Sequence, residues 1–269
     1  MMKKIELTRL ATLVVILLLT LGCATTSISV NTVTVEELKN ESQTVELGDA
    51  EQVKVIVKMG AGDLNIDQGA DALMQADFTY NVAGWKPEVS YDVADGTGRL
   101  TVRQPNAEQI SMRSDARYKW KLAFNAEVPL DMRIEQGAGT GDVDLGALNV
   151  TRLDVQLAAG DFTLDLSGNR SLRNLEFDMG AGNITLDLNG DWTENVNADL
   201  QGGIGQTTLR LPKDIGVRVT ANKALGRIHV TGLSQQGDAY VNEAYGKSDV
   251  TLEINIQAGV GRINLEVVD

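Results

Sequence analysis

Residues 158–186 read AAGDFTLDLSGNRSLRNLEFDMGAGNITL, and this stretch decides the fold. It holds two copies of one pattern: a small-residue corner ending in glycine, a polar residue, then apolar and polar residues in alternation. Alternation at period two is the mark of a half-buried strand, because successive side chains leave opposite faces. Seven copies occur: Gly60-Ala-Gly-Asp-Leu-Asn-Ile, Gly137-Ala-Gly-Thr-Gly-Asp-Val-Asp-Leu, Ala158-Ala-Gly-Asp-Phe-Thr-Leu, Gly180-Ala-Gly-Asn-Ile-Thr-Leu, Gly203-Ile-Gly-Gln-Thr-Thr-Leu, Ala224-Leu-Gly-Arg-Ile-His-Val and Gly259-Val-Gly-Arg-Ile-Asn-Leu. Taking Gly62, Gly141, Gly160, Gly182, Gly205, Gly226 and Gly261 as the closing glycines, the five from Gly141 to Gly226 recur every 19 to 23 residues. A period near twenty with one strand-turn-strand unit per copy predicts stacked β-structure, in which each unit buries its apolar face against its neighbours. The corner glycines are expected at positive φ, where the backbone turns sharply and adjacent coils approach closely.

The alternation assigns Val143 and Leu145, Phe162 and Leu164, Ile184 and Leu186, Ile228 and Val230, and Ile263 and Leu265 to the interior. Thr207 breaks this aliphatic rule. The interval from Gly226 to Gly261 is longer, 35 residues, and its excess at 232–247 is expected to project as a loop. Upstream, 68–132 departs from the short period, with strand-like runs separated by turn signals such as Asp95-Gly and Gln104-Pro-Asn. The predicted fold is therefore all-β: a Gly-cornered β-solenoid stack at 130–269, capped by an antiparallel N-terminal β-domain at 44–129. Aromatic residues at 4% and 27 glycines favour narrow stacked coils over a broad globular core.

The N-terminus predicts export. Lys3, Lys4 and Arg9 precede the apolar run Ala11–Leu21, which is short for a membrane span, and Gly22 precedes Cys23. Cys23 is the sole cysteine, so no internal disulfide forms. Thr20-Leu-Gly-Cys23 is similar to the lipobox of bacterial lipoproteins, with Thr20 where leucine is usual, which implies a signal peptide at 1–22 and lipidation of Cys23. A secretory signal cleaved elsewhere is the alternative. Residues 23–43, rich in Ser, Thr, Asn and Glu, are expected to form a tether, within which Val35-Glu-Glu-Leu-Lys could close one helical turn. The expected location is extracytoplasmic, anchored to a bacterial membrane.

The net charge of −13 repels polyanions and disfavours nucleic-acid binding. Gly137-Ala-Gly-Thr-Gly lacks the Lys-Ser/Thr ending of a phosphate loop and has strands on both sides. His229, the only histidine, offers no metal triad or nucleophile–base pair. No cofactor motif is present. In-register stacking would align Asp142, Asp161, Asn183, Gln206, Arg227 and Arg262, with Asp63 apart, about 4.8 Å between rungs. Asp142 and Asp161 would then repel by roughly 1–3 kcal/mol unless they splay, share a cation such as Ca²⁺, or bond turn amides. Asp161, Asp165, Asp178 and Asp187 could line one face as glycosidase carboxylates require, but such pairs arise by chance among 37 acidic residues. The basic-aromatic segment Arg113, Arg117, Tyr118, Lys119, Trp120 and Lys121 is the expected contact for an envelope protein or glycan partner. The same alternation allows Tyr118, Trp120 and Leu122 to pack inward. Asn169, beside Gly168 in a predicted loop, is expected to tolerate valine.

Lys58-Met-Gly-Ala-Gly-Asp-Leu-Asn-Ile, Asp77-Phe-Thr-Tyr-Asn-Val with Trp85-Lys-Pro, Leu100-Thr-Val-Arg-Gln-Pro, Val128-Pro-Leu-Asp and Leu211-Pro-Lys-Asp-Ile-Gly-Val together resemble the bacterial toast-rack N-terminal domain. The chain is similar there to the extracytoplasmic part of LiaF-type cell-wall stress regulators and to adhesin-like β-solenoid proteins. The resemblance implies an all-β envelope lipoprotein without assigned catalytic residues. Three functions are open at this point: a non-catalytic lipid-anchored interaction or adhesin-like module, an envelope stress sensor acting on a membrane signalling partner, and a carbohydrate-active enzyme.

Overall fold

Each repeat copy closes a long strand bent at its glycine corner, and a computed structural model covering residues 35–105 and 115–269 shows why both halves face one core. In β2 (Gln52–Gln68) the residues buried before the corner are Val53, Val55, Val57 and Met59, and those after it are Leu64 and Ile66. The parity switches because Gly60-Ala-Gly62 contributes an odd residue, so the two arms point apolar side chains to the same side. β7 (Leu130–Asp144), β8 (Val150–Asp165), β9 (Asn174–Asp187), β10 (Val196–Pro212), β11 (Gly216–Thr231) and β14 (Thr251–Val268) repeat the design. The arms pack on each other: Phe162, in the second arm of β8, meets Phe177, in the first arm of β9, edge to face at 6.1 Å.

Seven such rungs stack in parallel in the order β2-β7-β8-β9-β10-β14-β11. Gly62, Gly139, Gly160, Gly182, Gly205, Gly261 and Gly226 form one register column, all at positive φ. The closing glycine of the second copy is thus Gly139, not Gly141. Gly141 lies two columns further on, beside Phe162, whose ring would meet a Cβ there at 2.0 Å. That copy gave up its apolar residue to admit a phenylalanine from the next rung.

Return turns repeat as well. Asp144, Asp165 and Asp187 each accept a backbone N–H from the residue two further on, at 3.0, 2.7 and 3.0 Å. Asn169 follows one of these turns and is 1% exposed. Its Nδ2 donates to the carbonyls of Leu145 and Leu148 at 3.0 and 2.9 Å, and its Oδ1 accepts from the amides of Ser171 and Leu172 at 3.0 Å each. The expectation that valine is tolerated there fails, because the loop's backbone is satisfied by this side chain.

At the N-terminal end the stack forks. The first arm of β2 pairs with β5 (Thr97–Arg103), which pairs antiparallel with β4 (Glu88–Ala94). The second arm pairs with β6 (Tyr118–Phe124), followed by β3 (Met74–Val82) and β1 (Val35–Val45), both joined antiparallel. Neither β5 nor β6 spans the corner, so the side chain of Gln104 does: Gly60 and Ala61 donate their amides to its Oε1 at 2.8 and 3.2 Å. Between β3 and β4 a 3₁₀ turn, Ala83–Trp85, adds Trp85 to the aromatic core.

Two expected boundaries shift. The tether ends earlier than Gln43, since Val35–Val45 is a strand on the edge of β3 and no helical turn forms. Its polar sequence is held by pairing: Tyr80 donates to Glu41 at 2.6 Å, and Ser42 to Asp77 at 2.6 Å. The division at 129/130 does not interrupt the sheet either, because β7 pairs with β2 from Leu130 to Val143, and Val33–Asp269 is one compact unit. The signal segment, Cys23 and Arg113 lie outside the described residues.

The long interval before the last copy is a crossover with its own strands. β14 inserts between β10 and β11, and β12 (Ser234–Gln236) and β13 (Ala239–Val241) form a hairpin against the first arm of β11. Asn242 closes this junction, accepting from Val217 at 3.0 Å and donating to Pro212 and Ile215 at 3.0 and 2.6 Å. A projecting loop is replaced by an edge cover, which a terminal rung needs.

Candidate binding groove

On the outer side of the corners the repeat builds a trough. The residue before each inward pre-corner position faces out, and register places Lys58, Glu135, Gln156, Asp178, Gln201 and Gln257 in one column. Beside it run Gly60, Gly137, Ala158, Gly180, Gly203 and Gly259. A Cβ at Gly137 would lie 2.2 Å from the carbonyl oxygen of Gly60, and one at Gly203 2.0 Å from that of Gly180. The floor is therefore nearly bare backbone. The resulting groove holds about 1140 Å³ and crosses six rungs, roughly 24 Å at the spacing of paired strands.

Its polar wall changes character along its length. Lys58 and Arg133 pair with Glu135 at 3.0 and 2.8 Å. Burial works to raise the Glu135 carboxyl, but the hydrogen bonds and charges of Lys58 and Arg133 outweigh it and hold it below the usual carboxylate range. Gln156, Gln201 and Gln257 follow, with Asp178 among them. Amides both donate and accept, so this ladder suits a ligand rich in hydroxyl or amide groups. The sequence carries this signal, a polar residue two places before every corner.

The column after the corner differs from the expected one. Register aligns Asp63, Thr140, Asp161, Asn183, Gln206, Arg262 and Arg227, with Asp142 displaced to the next outward column beside Thr163. Asp142 and Asp161 do not stack. Instead carboxylates alternate with neutral donors: Thr140 donates to Asp63 at 2.9 Å and Asn183 to Asp161 at 2.7 Å. The repulsion is relieved without a cation, and among the described residues no three of His, Cys, Asp and Glu are grouped to hold a metal ion. Asp165 and Asp187 face return turns, whereas Asp178 belongs to the groove wall. His229 is exposed on the outer face of β11.

The basic-aromatic segment separates into two faces. Tyr118 is 5% exposed and Trp120 is fully buried, packed edge to face with each other, with Trp85 and with Phe78, each pair at 5.5 Å. Burial pushes the Tyr118 hydroxyl far above the ordinary phenol range. Neither aromatic is available to a partner. Lys119 and Lys121 face solvent, opposite Asp63 and Asn65 on β2 and Thr79 and Asp77 on β3. Arg117 is exposed, and its amide donates to Asn81 at 2.6 Å.

A crystal structure of a candidate cell-adhesion protein from Clostridium sporogenes ATCC 15579 is similar to this chain, with 31% identity and a TM-score of 0.67, over 86% of this chain and 100% of that one. Candidate adhesins from Bacteroides fragilis NCTC 9343 and Parabacteroides distasonis ATCC 8503 are far more distant. They show 12% and 15% identity and TM-scores of 0.33 and 0.34, over 85% and 87% of this chain and 97% and 98% of theirs. Comparison with curated protein sequences gives no match. The family model for the N-terminal domain of toast_rack, DUF2154, matches residues 33–173 and 170–210, running through the predicted boundary at 129/130 as the sheet does. With its fold and most of its length accounted for by that match, the chain belongs to the toast-rack N-terminal domain family.

Proposed function

We propose that this chain is a non-catalytic, adhesin-like interaction module, held at the outer face of a bacterial membrane by lipid on Cys23, and that it grips an extended envelope glycan along the corner groove. The observation that carries this reading is the groove itself: a trough across six rungs with a Gly/Ala floor and a wall of three glutamines, Asp178 and the Lys58–Glu135 pair. Periodic amides beside bare backbone suit a polymer that repeats its own polar groups. The similarity to a candidate cell-adhesion protein supports the adhesive role. Buried Trp120 and Tyr118 move the expected contact away from β6.

The test has two parts. The unlipidated Cys23→Ser chain is titrated with a panel of envelope glycans, and the same chain carrying Gln156→Ala, Gln201→Ala and Gln257→Ala loses capture with an unchanged melting temperature. Capture untouched by the triple change, or turnover of any glycan, refutes the reading. For the anchor, the wild-type chain partitions into detergent and the Cys23→Ser chain stays in the aqueous phase; equal partitioning removes the anchor.

A further inference from the structure

Among the described residues the sheet ends at β1, β4, the three-residue β12 and the second arm of β11. β1 carries Glu36, Glu37, Lys39 and Glu41, charges of the kind that discourage pairing at an edge, and the first arm of β11 is covered by β13 at Arg218–Thr220. The second arm of β11, Leu225–Thr231, has no strand on its outer side among the described residues. Its inward residues show the consequence. Ile228 and Val230 are only half-buried, while their register partners Ile263 and Leu265 are 1% and 0% exposed. They lack the next rung.

The surroundings define what that rung would be. Residues 200–209, 221–230 and 254–265 contain no carboxylate, in a chain with 37. They contain Lys223, Arg227 and Arg262, none of which has an ion-pair partner among the described residues, and Arg227 and Arg262 are adjacent in register. Leu225 and Ile204, 66% and 63% exposed, form with Val260 an apolar ridge along the same three corners.

We infer that the second arm of β11 is a docking edge that takes an extended acidic segment of a partner protein as an eighth parallel rung. Main-chain pairing supplies the affinity of such strand addition and alternate side chains the selectivity. The incoming segment places apolar side chains over Ile228 and Val230 and a carboxylate beside Arg227. It needs glycine opposite Gly226, as every rung already has. A lipid surface could meet the ridge and the cations, but it would leave the edge N–H and C=O groups unpaired, and the polypeptide answers both features.

The chain's own third repeat supplies a probe. The peptide AGDFTLD, residues 159–165, sets Asp161 opposite Arg227, Phe162 opposite Ile228 and Leu164 opposite Val230 when its glycine meets Gly226. Added to the isotope-labelled Cys23→Ser chain, it shifts amide resonances confined to Leu225–Thr231 and neighbouring β14, and binds at least tenfold more tightly than the same peptide with lysine for both aspartates. Arg227→Glu, at an exposed position, inverts that preference. The inference is overturned if millimolar peptide leaves these amides unmoved, if the two peptides bind alike, or if Arg227→Glu changes nothing. It is equally overturned if vesicles of anionic phospholipid perturb the segment and the peptide does not.

Discussion

Replacing Gly182 with alanine tests the stacking geometry at one of its close approaches. Gly182 sits at φ +132°, and a Cβ there would lie 1.8 Å from the carbonyl oxygen of Gly160 on the rung before. Carbon–oxygen contacts close at about 3.3 Å, so the rungs must part by about 1.5 Å at the corner or the strand must rotate out of register. Two costs combine: about 1–3 kcal/mol for an L-residue in that region of φ, and about 1–3 kcal/mol for overpacking against immobile backbone. Gly69→Ala separates them, because Gly69 has φ +109° yet nothing within 4 Å of its Cβ site. The loss of unfolded-chain freedom on going from glycine to alanine is common to both and cancels. In urea unfolding followed by far-UV circular dichroism, Gly69→Ala is expected to lose about 1–3 kcal/mol and Gly182→Ala about 2–6 kcal/mol. If the two variants unfold at the same urea concentration, close approach between rungs does not account for the glycine column.

Asn169→Val removes four hydrogen bonds and leaves the amides of Ser171 and Leu172 in a buried turn without their acceptor, while the carbonyls of Leu145 and Leu148 keep the backbone donors Leu148 and Val150; a loss of about 3 kcal/mol is expected in the same urea assay. Valine fits the site only if the melt is unchanged. Gly141→Ala pushes a methyl into the Phe162 ring and is expected to cost about 1–3 kcal/mol, most of which Phe162→Leu recovers; additive effects in the double-mutant cycle would show that the two do not touch. Glu135→Gln removes a carboxylate whose folded pKa is lowered, so the wild type's advantage is present above the unfolded value near pH 4.3 and disappears as pH falls through the folded value. The advantage is up to about 1 kcal/mol for a partly exposed pair, and urea midpoints at pH 7 and pH 3 that differ equally between the two proteins would contradict it.

What the sequence could disclose follows from which interactions are local. A corner glycine followed by alternation reports backbone geometry and facing within one rung, so the rung strands and their inward residues were legible, and the alternation of β6 allowed the inward packing of Tyr118 and Trp120. Rung order is a different matter. Nothing in residues 216–231 or 251–268 says that the later strand lies inside the earlier one, because β10 and β11 offer equivalent flanks to β14 and only the crossover through the β12–β13 hairpin selects the insertion. The choice between Gly139 and Gly141 was equally closed, since both precede a polar residue and only the carbonyl of the preceding rung distinguishes them.

The two largest departures from expectation involve polar residues, and they share a cause. Val35–Val45 and Asn169 carry compositions usual for solvated chain, yet one is a strand and the other is buried. In a stack where each rung presents backbone groups at both ends, an edge or turn must be satisfied by whatever lies beside it. Gln104 does this for the first corner, Asn169 for a return turn and Asn242 for the last junction. The second arm of β11 is the same requirement left to solvent. That is why the unpaired edge, rather than the acidic body of the protein, is where a partner's strand has the most to gain.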